Sequence, residues 1–195
     1  MNTELTYILW LMMAYFLGST LIGELICRYK GVDIRKLGTG NPGAANIWRE
    51  VGRKYGLSVF LFDIMKGVGA TLPLRLLGAE LEWIAGSMLC MLLGQFFPIF
   101  FKFKGNTGMA ALFGASAGVV PWGVAIAAPV AVIKFAITKN VGWAGGIFFG
   151  VSCIAGGIIY RSDLEWLGVL YLMVGCILVF VKQHIQYRSH SNKSS

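Results

Sequence analysis

The chain is a series of apolar runs separated by short polar stretches, and the first run, about 5–27, is long enough to cross a bilayer by itself. No cleavable leader is read, because that run starts almost at once, lacks a basic n-region and can span by itself. Composition points the same way. A 195-residue chain that is 56% hydrophobic and 13% charged has too much apolar surface for one soluble core, so the expectation is an integral membrane protein. The four cysteines (Cys27, Cys90, Cys153 and Cys176) lie in or at the ends of apolar segments without metal-type spacing, and read as small core hydrophobes.

Further spans are expected at about 57–77, 81–101, 108–120, 122–137, 141–160 and 164–181, with Pro121 as a helix breaker. The fourth and fifth are short for about 30 Å of hydrocarbon, so a single broken span is the alternative there. Charge decides between them. With seven spans one side carries Arg28, Lys30, Arg35, Lys36, Arg49, Arg53, Lys54, Lys102, Lys104, Lys139, Lys182, Arg188 and Lys193. The other side has Arg75 and Arg161 near span ends, with Glu4, Glu80, Glu82, Asp163 and Glu165. By the positive-inside rule the N-terminus is outside and the C-terminus cytoplasmic, and six spans would misplace the basic tail. The expectation is one all-α membrane domain over 1–195. Its net charge of +8 is ascribed to cytoplasmic loops facing anionic lipid, not to nucleic acid.

The longest polar stretch holds Gly38-Thr39-Gly40-Asn41-Pro42-Gly43, followed by Ala44 to Arg49, which has no breaker. A glycine turn entering a helix leaves backbone N–H groups unpaired, which suits an anion such as phosphate. Arg35, Lys36, Arg49, Arg53 and Lys54 add mobile positive charge, against the plainer alternative of an ordinary polar turn. Asp63 and Lys66 sit within the second span. Intramembrane ionisable residues are functional candidates, and the alternative is a mutual i, i+3 ion pair. Lys102 to Thr107, Thr138 to Asn140 and the stretch from Lys182 onward fall on the same face as the turn. His184 and His190 lie in the basic tail and read first as solvated residues. The Gly/Ala runs around Gly114, Gly118, Gly145, Gly146, Gly150, Gly156 and Gly157 read as helix-packing faces. No Ser-His-Asp set, HExxH, CxxC pair or Walker loop is present.

These motifs carry a resemblance. Gly18-Ser19, Asp33-Ile34-Arg35, Gly38 to Ala44, Asn46, Arg49 and Phe62-Asp63-Ile64-Met65-Lys66-Gly67 closely resemble the bacterial membrane glycerol-3-phosphate acyltransferases that use acyl phosphate, the PlsY family. The resemblance implies transfer of a fatty acyl group from acyl phosphate to the sn-1 hydroxyl of glycerol 3-phosphate, giving lysophosphatidic acid, at the cytoplasmic face of a bacterial inner membrane. It implies no metal and no cofactor. As site residues it suggests Thr39, Asn46 and Arg49 for catalysis. For phosphate and substrate it suggests Arg35, Gly38, Gly40, Asn41, Gly43, Asp63, Lys66, Lys102, Lys104 and His184.

The chain departs from the family pattern at several places. Thr39 stands for a Ser and Ala45 for a Thr, Gln95 for a His, and Thr107 for the second lysine of Phe-Lys-Gly-Gly-Lys-Gly. Lys102 appears where a Gly is usual and is offered as a replacement charge. A Ser-Leu-Gly-Ser-like stretch reads Gly142-Trp143-Ala144-Gly145, and the His and Asn of the terminal motif fall on Val181 and His184. An acyl phosphate is already activated, so two phosphates, an aligned hydroxyl and oxyanion stabilisation suffice without a protein nucleophile. The rival expectation is a non-catalytic relative that binds lipid or anion. A small transporter is disfavoured for want of an inverted repeat.

Overall fold

The computed structural model describes residues 3–138, 141–160 and 163–194. Lys139 and Arg161 of the charge argument lie outside them, with Asn140, as do the side chains of Asp163, Glu165, His190 and Lys193. Nine α-helices follow in order among the described residues: α1 Thr3–Ser19, α2 Ile22–Tyr29, α3 Ala44–Glu50, α4 Arg53–Leu76, α5 Leu81–Phe96, α6 Met109–Val119, α7 Pro121–Thr138, α8 Val141–Ile159 and α9 Asp163–Ser194. Short 3-10 turns cover Ile34–Lys36 and Ile99–Phe101, and no strand occurs among the described residues. Five stretches are long and apolar enough to cross a membrane: Thr3–Tyr29, Arg53–Leu76, Leu81–Phe101, Pro121–Thr138 and Trp166–Gln186. Met109–Val119 and Trp143–Ile159 are shorter apolar helices.

Three expected boundaries move. The first span is two helices, broken at Thr20 and Leu21. The hydroxyls of Ser19 and Thr20 donate back to the carbonyls of Tyr15 and Leu17, a local competition with the helix ladder that bends helices. The third span ends as a helix at Phe96 and not at 101, because Pro98 cannot continue it and a 3-10 turn takes over. The last helix runs to Ser194, past Val181, since its polar tail has no breaker. Pro121, expected to break a helix, is the first residue of α7, where its missing N–H costs nothing.

α5 forms the centre of the bundle. Its Ile84, Ala85, Met88, Met91 and Leu92 are fully buried, packed with Leu112 of α6 and Leu172 of α9. The outward faces carry Leu9, Met12, Leu61, Met65, Val132, Ile154 and Ile177, which suits lipid and not water. Helices touch through their small residues. A Cβ at Gly18 or Gly94 would lie 2.1 Å from a carbonyl oxygen of the facing helix in the α1–α5 pair. At Gly67 and Gly114 it would lie 2.0 Å from one in the α4–α6 pair. This backbone-to-backbone packing is how membrane helices associate without a hydrophobic drive between them.

The polar loop between α2 and α4 has a small core of its own, Cys27, Ile34, Ile47 and Val59, with Val32 and Tyr55 packed beside it. That cluster holds the glycine turn against the end of the bundle. Close contact helps, since a Cβ at Gly23 would lie 2.1 Å from the Pro42 carbonyl oxygen.

Candidate active site

The turn itself is built by Asn46. Its Oδ1 accepts from the Thr39 N–H at 3.0 Å and its Nδ2 donates to the Leu37 carbonyl at 3.0 Å, so a buried amide pins both sides of the turn. Gly38 takes φ 54°, and a Cβ there would lie 2.3 Å from Asn46 Oδ1 and 2.7 Å from Glu50 Oε1. Only glycine meets both demands. Gly40 also has positive φ, and its N–H donates to the Leu37 carbonyl.

The structure thereby narrows the expected anion site. The N–H groups of Thr39 and Gly40 are spent inside the turn. Those of Asn41, Gly43, Ala44 and Ala45 find no acceptor among the described residues. α3 is only seven residues long, so its dipole is small and the unspent N–H groups matter more.

The second polar stretch folds into the bundle. Gly105 sits against the end of α5, where a Cβ would lie 2.0 Å from the Gln95 carbonyl oxygen. The Asn106 N–H donates to that carbonyl at 2.9 Å, and Asn106 Oδ1 accepts from the Gly108 N–H at 3.0 Å. Irregular backbone inside a membrane protein is tolerated when buried by protein in this way. α6 starts there with no side-chain cap, and the N–H groups of Met109, Ala110 and Ala111 also find no acceptor among the described residues.

The two loops interlock. Asn41 Nδ2 donates to Thr107 Oγ1 at 3.3 Å, two residues before the N-cap of α3 and one before that of α6. Asn41 Oδ1 is buried without a partner. Two uncapped helix N-termini therefore meet at one contact, and the α6 terminus was not singled out from sequence. Its signal was available: Gly105 to Gly108 cannot start a helix, while Met109 to Val119 can.

The other candidates distribute as follows. Arg49 is exposed on α3, and Lys102 and Lys104 are exposed on the second loop; none makes an ion pair among the described residues. The Thr39 hydroxyl makes no hydrogen bond among the described residues. Arg35 is spent differently, donating to Glu24 and to the carbonyls of Lys104 and Gly105.

Asp63 and Lys66 do not reach the turn. They form a buried ion pair, Nζ to Oδ1 at 2.7 Å, with each side chain 5% exposed. Lys66 also donates to the Thr20 carbonyl at 2.7 Å, the acceptor freed by the break between α1 and α2, and Gln95 Nε2 donates to Asp63 Oδ1 at 3.3 Å. The ion-pair alternative describes these two residues, because a buried ammonium is held by every acceptor within reach.

His184 and Val181 are exposed on α9. Lys182 of the same helix turns inward instead: its Nζ donates to the Phe96 carbonyl at 3.1 Å and stands 4.6 Å from the Phe97 ring centre. Helical spacing could have found it, since buried Leu172, Gly175 and Val179 lead to 182 at steps of three and four.

The fold and site define an integral membrane helix bundle with two interlocked polar loops at one end. Within that class the chain belongs to the glycerol-3-phosphate acyltransferase family, whose model matches residues 8–192. It is 33% identical over 178 residues to a glycerol-3-phosphate acyltransferase of Thermus thermophilus, covering 90% of this chain and 87% of that one. A Thermosipho melanesiensis relative is 38% identical over 141 residues, 72% and 70% of the two chains. One from Aquifex aeolicus is 41% identical over 109 residues, and there the match spans 57% of the relative's length. The crystal structure of PlsY, an integral membrane glycerol 3-phosphate acyltransferase, in its glycerol 3-phosphate form superposes with a TM-score of 0.78. It is 28% identical and covers 96% of this chain and 91% of that chain. The lysophosphatidic acid form gives a TM-score of 0.75. The family expected from the motifs is the family found.

Proposed function

We propose that this chain transfers a fatty acyl group from acyl phosphate to the sn-1 hydroxyl of glycerol 3-phosphate. The hydroxyl oxygen forms the new ester, the acyl–phosphate bond breaks, and the departing phosphate takes the hydroxyl proton. Both substrates carry a phosphate, and the observation that supports the reading is the meeting of two uncapped helix N-termini at Asn41 and Thr107. Unpaired N–H groups of Asn41, Gly43, Ala44 and Ala45, and of residues 109–111, serve one phosphate each. Arg49, Lys102, Lys104 and Lys182 add charge around them, and the Thr39 hydroxyl is free to contact substrate. Asn46 acts on the turn and not on substrate.

Purified protein given palmitoyl phosphate and glycerol 3-phosphate should form lysophosphatidic acid above the no-enzyme rate. Arg49→Ala should cut kcat/KM about 10- to 100-fold, the equivalent of one charge-assisted hydrogen bond. A second reading, a relative that binds phosphate or lipid without turnover, is favoured by Thr107, an uncharged side chain engaged by Asn41. Phosphate binding without product would select it.

We infer seven crossings with the N-terminus outside, the site cytoplasmic and the membrane a bacterial inner membrane. The loops of residues 30–52 and 97–108 and Lys182 share one end of the bundle, which agrees with the basic residues being on one side. α6, 11 residues and about 16 Å long, crosses only together with the loop that leads into it. A single cysteine at position 36 on a cysteine-free background should be labelled only after the membrane is permeabilised. Labelling from outside intact cells would refute this orientation.

A further inference from the structure

Arg35 has the charge and position of a phosphate ligand, but its guanidinium faces three protein acceptors. Nε donates to Glu24 Oε2 at 3.0 Å, Nη1 to the Gly105 carbonyl at 3.0 Å, and Nη2 to the Lys104 carbonyl. Glu24 lies on α2, and the two carbonyls belong to the loop that enters the bundle before α6. The Arg35 backbone is held as well. Its N–H donates to Asp33 Oδ1, and Ile34 beside it is buried in the small core under the glycine turn. A planar guanidinium fork holds its donors in a fixed spread that meets two neighbouring carbonyls and a carboxylate together, whereas an ammonium is a compact point charge on a flexible stem.

We propose that Arg35 is a positioning residue, a strut between the two site loops with Glu24 as its anchor, and not a phosphate ligand. The other hydrogen bond between the two loops among the described residues is the 3.3 Å one from Asn41 to Thr107. The strut sets the separation of the two helix N-termini, so it governs how the hydroxyl of one substrate meets the carbonyl of the other. Misplacing bound reactants by about 1 Å costs on the order of 100-fold in rate without weakening their binding.

This inference rests on the acyltransferase reading for its kinetic test. A strut and a phosphate ligand give opposite results at Glu24. If Arg35 orients the loops, Glu24→Gln loosens it and lowers kcat. If Arg35 binds phosphate, removing a competing carboxylate frees it and lowers KM for glycerol 3-phosphate.

The experiment measures kcat and KM for palmitoyl phosphate and glycerol 3-phosphate in Arg35→Ala, Arg35→Lys, Glu24→Gln and the Glu24→Gln/Arg35→Ala pair. It is joined to amide hydrogen exchange of the full-length, substrate-free proteins. The strut predicts at least a tenfold fall in kcat for both Arg35 variants, with KM within about threefold of wild type. The double variant should be no slower than Arg35→Ala, and exchange in residues 33–38 and 103–108 should rise together. Near-normal turnover in Arg35→Lys, with KM raised in Arg35→Ala and lowered in Glu24→Gln, would overturn it. If the wild type transfers no acyl group, the acyltransferase reading fails. Exchange then decides the strut: a joint rise in both segments supports it, and no change overturns it.

Discussion

Asp63→Ala is expected to cost about 3–5 kcal/mol, because it leaves the Lys66 ammonium buried without its carboxylate. Both side chains are 5% exposed, and the remaining partners of Lys66 are reduced to the Thr20 carbonyl. The same change strands the Gln95 amide, whose Oε1 is already without a partner. Asp63→Leu with Lys66→Met should recover most of the loss, since replacing a buried ion pair by apolar groups of similar size is often neutral. Thermal unfolding in one detergent measures both. A single variant within 1 kcal/mol of wild type would show that the pair is not what stabilises this part of the bundle. The effect should also reach the site, because the network joins the break in the first span to Gln95 of α5, whose carbonyl holds Asn106 of the second loop.

Gly114→Leu should prevent α4 and α6 from packing and remove most of the folded protein. A Cβ there would lie 2.0 Å from the Ile64 carbonyl oxygen and 2.9 Å from the Val68 nitrogen, both of them backbone atoms of α4. Overpacking of this kind costs about 1–3 kcal/mol where side chains can yield, and more where they cannot. Gly146→Leu is the control, since nothing lies within 4 Å of a Cβ there and residue 146 faces outward on α8. Size-exclusion profiles should show a monodisperse peak for Gly146→Leu and aggregate for Gly114→Leu. Equal profiles would mean that the α4–α6 approach is not limiting. The measurement tests the general point that this bundle is held by backbone proximity, with side-chain burial concentrated on α5.

The two results bear on function through the same elements. α4 carries the ion pair, α6 begins at the site, and α5 ends at the Gln95 carbonyl that accepts from the Asn106 N–H. The reaction that we propose needs no group with an unusual proton affinity, because the donor is activated and its phosphate can take the proton. It needs two anion sites held at one separation, and we propose that the chain supplies them from polar backbone at one end of the apolar bundle.

The sequence by itself determined the class, the approximate extent of the apolar helices, the glycine turn and the family. Those follow from local chemistry. Apolar length selects lipid over water, Gly and Pro forbid a helix between 38 and 43, and the motif residues from Gly18 to Gly67 stand in the order that the family has. The tertiary structure alone decided how the polar residues are used. Arg35 meets Gly105 across 70 positions, Asn41 meets Thr107 across 66, and Lys182 meets Phe96 across 86. Periodicity says which face of a helix is polar but not which groups from other helices will stand opposite it. Lys66 shows why that matters: the same residue is a phosphate ligand or half of an ion pair according to whether Asp63 or a pocket lies within reach. Here Asp63 Oδ1 lies at 2.7 Å, and the ammonium is held between that carboxylate and the Thr20 carbonyl, 46 positions away in the chain.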